Sequence, residues 1–227
     1  MGQWLAHFLF REGFEVIISD RNEAALRSLA EDPEVNILST GKAVEEADIV
    51  LISVNIDSFE AAVREISSHA RPGQIIADVT SIKELPVELM HRYLQGATIL
   101  GMHPLFGPGA KDLSNQNSVL TPTNEKEREL ARKATDLLEK HGARVTTMTP
   151  REHDEIMSVV LGLAHFISIA AADTLIEIGK MTQLKAVGGS TYRVLTTLVE
   201  SVVSEDPELY ATLQMHLPYV REMETLF

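Results

Sequence analysis

Ile49-Val-Leu-Ile-Ser-Val54 is a continuous apolar run, rich in β-branched residues and one strand in length. Runs unrelieved by alternating polar positions belong to strands covered on both faces, so this one is expected at the buried centre of a parallel sheet. Its flanks fit. Residues 57–70 carry helical spacing, Gln74-Ile-Ile-Ala-Asp78 reads as the next strand, 85–94 as a helix and Thr98-Ile-Leu-Gly101 as a further strand. Towards the N-terminus, 41–47 reads as a short helix, 36–38 as a short strand, 22–30 as a helix, Phe14-Glu-Val-Ile-Ile-Ser19 as a strand and 3–12 as a helix ended by Gly13. Helices alternating with strands in this way predict an α/β domain with a mostly parallel sheet. Met102–Asn117, punctuated by Gly and Pro, reads as a surface loop. A strand follows from Val119, an amphipathic helix over 125–141 and a closing strand over 144–148. Beyond Thr149-Pro150 the strand signals stop: 151–180 reads as one long helix and the remainder as helical, with breaks at Gly188-Gly189 and Asp206-Pro207. The expected organisation is a sheet domain over 1–150 and an all-helical domain over 151–227.

The 227 residues, 44% of them hydrophobic, suffice for a large domain and a smaller partner. A formal net charge of -13 argues against nucleic-acid or anionic-membrane partners, which require clustered Lys and Arg. The absence of cysteine excludes disulfides, zinc–thiolate sites and thiol nucleophiles, and suits a reducing cytoplasm; no metal is expected. The first ten residues lack the basic segment and cleavage site of a signal peptide. Ile156–Ala172 contains no Asp, Glu, Lys or Arg, but it sits at the lower edge of the roughly 17–25 residues a membrane span needs. A helix apolar all round is more simply buried, inside a domain or against a second subunit. The reading is therefore a homodimer formed through the C-terminal helices, with no membrane span.

In a dinucleotide-binding sheet the first strand leads through a glycine-rich turn into a helix whose N-terminus faces the pyrophosphate, and an acidic residue after the second strand binds the ribose. Asp20 follows the strand at 14–19, where that acid belongs, and Gly2 fits the last glycine of G-x-G-x-x-G. The strand and the two earlier glycines of that pattern do not occur ahead of Gly2, so the Rossmann-like fingerprint rests on Gly2, the helix and strand after it, and Asp20. Asp20 favours NAD, since a carboxylate repels a 2′-phosphate; Arg21 leaves NADP open. Ser53, Val54 and Ile56 follow a strand end that would meet the cofactor, with plain packing as the alternative for Val54 and Ile56.

Two further strand ends carry chemistry: Asp78-Val-Thr-Ser-Ile-Lys83 and Gly101-Met-His-Pro-Leu-Phe-Gly-Pro108. Ligands of open α/β sheets bind at the carboxyl ends of the strands, so Ser81, Lys83 and His103 are expected to converge. A neutral histidine accepts a proton from a hydroxyl as hydride leaves the same carbon. His7, His69, His91, His141 and His216 lack such company and read as solvated side chains.

These two motifs, followed in order by Glu152-His153-Asp154 at the start of the long helix, resemble the prephenate dehydrogenase family of tyrosine biosynthesis, over nearly the whole chain. The resemblance implies NAD-dependent oxidative decarboxylation of prephenate to 4-hydroxyphenylpyruvate in the cytoplasm. His103 would be the catalytic histidine, with Ser81 orienting either that histidine or the substrate hydroxyl. Lys83 would add positive potential near substrate or cofactor, and His153 would be a second histidine of the substrate site. Ser190-Thr-Tyr-Arg193 matches a family segment carrying an arginine, which makes Arg193 the candidate for a substrate carboxylate. The position where relatives hold their main carboxylate-binding arginine falls at Ser201. The alternatives are arogenate dehydrogenase, another β-hydroxyacid-type dehydrogenase, and a catalytically silent regulatory module. The second of these is disfavoured because residues 151–179 hold no lysine.

Overall fold

A computed structural model describes residues 1–22, 24, 26, 36–204 and 207–226. The chain divides into two compact units, Met1–His153 and Asp154–Phe227, within three residues of the boundary expected near 150.

The first unit opens with helix α1 (Gly2–Arg11) and a parallel pair of short strands, β1 (Ile17–Ile18) and β2 (Asn36–Ile37). The helix expected over 22–30 lies almost entirely outside the described residues. Helix α2 (Thr40–Glu46) leads to β3 (Ile49–Ile52), α3 (Ile56–Ser67), β4 (Ile75–Asp78), α4 (Glu84–Tyr93), β5 (Thr98–Pro104), β6 (Asn117–Thr121), α5 (Glu125–Lys140) and β7 (Arg144–Thr147). Strands β3-β4-β5-β6-β7 form one sheet in that order, parallel except for the antiparallel pair β5–β6. The mostly parallel α/β class read from the sequence is the observed one.

One expectation needs correction. The run Ile49–Val54 does not lie at the sheet centre: β3 ends at Ile52, and among the described residues it pairs with β4 alone. Ile49 is 44% exposed, and Ser53 and Val54 lie beyond the strand, both exposed. An unbroken apolar run reports cover on a strand's faces; it says nothing of whether a neighbour lies beside it. Among the described residues the middle of this sheet is β5, flanked by β4 and β6.

Alternation along β4 and β5 builds the core on both sides of the sheet. Ile76 and Ile99 point into a cluster with Phe59, Val63 and Ile66 of α3 and Val87 and Met90 of α4. Their neighbours Ala77 and Leu100 face the other way, onto Leu120 and Ala131. On that second side Trp4 and Phe8 of α1 pack against Leu113, Leu138 and Ala143, and Trp4 Nε1 donates to the Ala110 carbonyl at 2.7 Å. Helix α5 starts at a capping box: Asn124 Oδ1 accepts the Glu127 amide, and the Glu127 carboxylate accepts from the Thr123 amide and hydroxyl.

The long helix expected over 151–180 runs from Pro150 to Ile178 with a π-helical stretch in its middle: α6 (Pro150–Met157), the π turn Ser158–Leu163, and α7 (Ala164–Ile178). The second unit continues with α8 (Met181–Val187), α9 (Ser190–Val203), α10 (Pro207–His216) and α11 (Val220–Leu226). Helix α9 packs on α7, and α11 on the π turn. Gln214 of α10 donates to the Gly162 carbonyl within that turn at 2.8 Å. The helix Pro150–Ile178 is long and apolar enough to cross a membrane, and only 11% of its most apolar window is buried within the chain. Of the two kinds of burial expected for Ile156–Ala172, burial inside its own domain is therefore not observed. Ile156, Val159, Val160, Ile169, Ile176 and Ile178 are exposed.

Candidate active site

Parallel strands β4 and β5 bring Asp78 into register with Gly101, so both sequence motifs end at the same edge of the sheet. His103 does not sit in a loop, as its Gly-Pro surroundings suggested. Strand β5 continues through Pro104 because β6 returns antiparallel beside it, pairing His103 with Val119 and Pro104 with Ser118. The histidine is thus carried on a fixed backbone, 5% exposed.

A second histidine completes the arrangement. Thr149-Pro-Arg-Glu152 is a capping box with proline at the first helical position: Glu152 Oε2 accepts from the Thr149 amide at 2.8 Å and hydroxyl at 2.7 Å, and Thr149 Oγ1 accepts the Glu152 amide at 3.2 Å. This cap starts α6 and presents His153, fully buried, with Nε2 2.8 Å from His103 Nδ1. One nitrogen of that pair carries the shared proton. If His103 Nδ1 donates it, His103 Nε2 is left with its lone pair, the form a proton acceptor needs. Burial, then His153, then the charge of Lys83 push the His103 imidazole well below its ordinary pKa. It is therefore neutral throughout the neutral pH range.

Lys83 is not an open cation. It is 0% exposed, and its ammonium is paired with Asp78 Oδ1 and lies 3.2 Å from Thr80 Oγ1. Asp78 Oδ1 also accepts the Thr80 amide at 3.0 Å. The lysine stem passes over Gly101, where a Cβ would lie 3.2 Å from Lys83 Cδ, 2.8 Å from Val87 Cγ2 and still closer to Thr121 Oγ1. Glycine is the residue that leaves this passage open. Asp78 and Thr80 were given no role from sequence; the signal available was an acid and a lysine five residues apart at the end of a buried strand. Ser81 is half-buried in the same turn. Among the described residues the hydrogen bond of His103 goes to His153, and none joins it to Ser81.

The residues expected to hold a dinucleotide gather at the neighbouring strand end. Gly2 is the first residue of α1, and a Cβ there would lie 3.2 Å from Ser53 Oγ, so the helix N-terminus stands directly against the end of β3. Val54 is exposed, and Ile56 is the half-buried first residue of α3. Asp20 is exposed after β1, with Oδ1 accepting the Asn22 amide. Arg21 is turned onto Glu65 of α3 at 2.9 Å, and the guanidinium in turn holds the Glu65 carboxyl below its usual range. These features fit a dinucleotide: a helix N-terminus free of any side-chain cap, a glycine that permits close approach, and an acid at the ribose position.

Within the second unit, Arg193 is exposed on α9 and shares a shallow groove of about 430 Å³ with Val194, Thr197, Leu198 and Ser201. The candidate arginine and the position where an arginine was expected thus lie on one helix face. Among the described residues no group of three or more His, Asp or Glu is placed to hold a metal ion.

A largely parallel nucleotide-binding sheet, a helix N-terminus at its carboxyl edge, a buried histidine pair at the same edge and a helical second unit define a dehydrogenase-like architecture. The chain belongs to the prephenate dehydrogenase family. Residues 5–147 match "Prephenate dehydrogenase, nucleotide-binding domain" and residues 149–227 match "Prephenate dehydrogenase, dimerization domain". It is 32% identical over 231 residues to a "Probable arogenate/prephenate dehydrogenase" of Methanocaldococcus jannaschii, covering 100% of this chain and 52% of that protein. It is 24% identical to the "4-amino-4-deoxyprephenate dehydrogenase" of Streptomyces pristinaespiralis, covering 96% of this chain and 74% of the relative. The chain thus spans about half the length of the first of these relatives. Among solved structures, prephenate dehydrogenase from Aquifex aeolicus in complex with hydroxyphenyl propionate and NAD+ superposes with a TM-score of 0.80 at 21% identity, covering 100% of this chain and 83% of that one. Arogenate dehydrogenase from Synechocystis superposes with a TM-score of 0.77, also at 21% identity, covering 99% of this chain and 83% of that one.

Proposed function

We propose that the protein oxidises prephenate with NAD+, giving 4-hydroxyphenylpyruvate, carbon dioxide and NADH, as a cytoplasmic homodimer serving tyrosine biosynthesis. The observation that carries this reading is the buried His103 held through Nδ1 by His153. The bound nicotinamide supplies the hydride acceptor. The other roles fall to the chain. His103 Nε2 accepts the proton of the ring hydroxyl as hydride leaves the same carbon. Loss of carbon dioxide from the opposite ring carbon restores aromaticity, and the proton passes back to the phenolic oxygen. His153 fixes the tautomer and the ring plane, a matter of positioning. Arg193 is the cation this reading assigns to a substrate carboxylate, since bidentate arginine suits that group and Ser201 beside it carries no charge.

The direct test gives the protein NAD+ and, in turn, prephenate, arogenate and 4-amino-4-deoxyprephenate, with and without a strand and Gly-x-Gly turn supplied ahead of Gly2. NADH appearing fastest with prephenate supports the proposal. A preference for arogenate moves the assignment to that substrate, and no NADH in any arm supports a silent module.

Coenzyme choice follows from charge. Asp20 disfavours a 2′-phosphate, and Glu65 engages the Arg21 beside it. Calorimetry is expected to give NAD+ an advantage over NADP+ of about tenfold or more, since a ribose hydroxyl bonded to the Asp20 carboxylate, worth about 1.5–3 kcal/mol, is lost when that hydroxyl is phosphorylated. Glu65→Gln, by releasing Arg21, narrows the gap through tighter NADP+ binding. The exposed apolar residues of Pro150–Ile178 are covered by a second copy in this reading, and sedimentation should give twice the 25.1 kDa chain mass without detergent. A stable monomer, or a chain soluble only in detergent, contradicts it.

A further inference from the structure

The proposed reaction assigns the Asp78–Lys83 pair no part in proton transfer or coenzyme binding. Both side chains are 0% exposed, and a fully dehydrated ion pair is a poor way to stabilise a core. Removing two charges from water costs several kcal/mol each, and apolar residues of equal volume often serve as well or better. We propose that Lys83, with Asp78 as its counter-ion, is a positioning residue that acts on the reaction through His103.

The placement supports this. Asp78 ends β4 in register with Gly101 on β5, two residues before His103. Lys83 crosses that register point over the bare backbone of Gly101, in the space a larger residue would fill. Its ammonium is anchored by Asp78 Oδ1 and Thr80 Oγ1, so the cation is fixed. The titratable and charged groups that bear on His103 are His153 from the start of α6 and Lys83 from the turn after β4, the latter carrying Asp78 with it; β6 contributes Val119 opposite His103. The Lys83 charge opposes a positive imidazole at His103, after burial and His153. A fixed cation whose charge opposes protonation of the ring disfavours a resting imidazolium and so keeps Nε2 able to accept. Asp78 limits the strength of that push and confines Lys83 to one orientation.

The inference rests on His103 being the proton acceptor of the proposed reaction, but its central measurement needs neither substrate nor cofactor. The probe is the ¹⁵N imidazole titration of His103 in the full chain, compared between wild type and Lys83→Met/Asp78→Asn. This double variant removes both charges at nearly constant volume. The expected result is a His103 titration displaced to higher pH in the double variant. On the acid limb its kcat/KM falls about three- to tenfold below wild type, a displacement of up to one unit being tenfold there. On the plateau the two enzymes match, with KM unchanged. A folded double variant titrating where wild type does overturns the proposal. So does a wild-type His103 that titrates at or above free histidine, a result that requires no variant. Lys83→Arg, which keeps the charge, should leave the titration in place; if it moves it as far as the double variant does, the role is packing and the proposal fails. A normal titration shift with no turnover on any substrate would instead count against the proposed reaction and leave the positioning role standing.

Discussion

His103→Asn lowers kcat by about two to four orders of magnitude, the range general base catalysis supplies, and leaves NAD+ affinity within a few-fold. Asparagine preserves a polar side chain near the position of Nδ1, and so offers His153 a partner, but has no basic lone pair to take a proton. The residues proposed to hold the coenzyme lie at other strand ends, which is why binding should be spared. Stopped-flow turnover beside calorimetric NAD+ binding separates the two effects; full turnover in the variant would remove His103 from the chemistry. In the wild-type enzyme the acid limb of kcat/KM lies below the ordinary imidazole range, because the base is already neutral there. The same displacement affects folding. Below the reference value of 6.5 the unfolded chain binds a proton at His103 that the folded chain refuses. Stability at this residue is therefore level above that pH and declines as the pH falls towards the folded-state value.

Gly101→Ala destabilises the first unit by about 1–3 kcal/mol, the usual cost of forcing a methyl into a filled core, and disturbs the site with it. The new Cβ would meet Thr121 Oγ1 and Val87 Cγ2, both well inside contact distance, and press on Lys83 Cδ. None of these is the loose end of a flexible side chain: Thr121 is buried opposite Gly101 on β6 and bonds its carbonyl, and Val87 is packed in α4. Urea denaturation measures the loss. Adding Thr121→Ala removes the nearest clash, so the double variant should recover part of the stability, and strict additivity of the two changes would show that the clash is not the cause.

Much of this architecture was legible in the sequence because it rests on local periodicity. Apolar runs of strand length between helical spacings marked the order from α1 to β7, and the loss of strand signals after Thr149-Pro150 marked the helical unit. What could not be read depends on partners distant along the chain. Periodicity does not report which neighbours a strand has: among the described residues β3 pairs with β4 alone. His103 and His153 lie fifty residues apart, and the 2.8 Å hydrogen bond between them exists only because a capping box and a β5–β6 pairing converge. A lysine reads as a cation whatever neutralises it, so Lys83 was expected to face a ligand and instead faces Asp78. Arg21 was open to a 2′-phosphate until Glu65, forty-four residues on, occupied it.

Among the described residues the outer edge of β3 is unshared, and this bears on how this chain behaves in concentrated solution. Among the described residues the strand's outer side offers a row of backbone donors and acceptors beside a substantially exposed Ile49, the kind of template on which a foreign strand can add. What opposes this is the net charge of -13 on every copy. That repulsion reaches about 10 Å at 0.1 M salt and only about 3 Å at 1 M. Colloidal behaviour and handling should therefore depend on ionic strength far more than the catalytic centre does: dilute salt keeps copies apart, and concentrated salt lets the sheet edges meet.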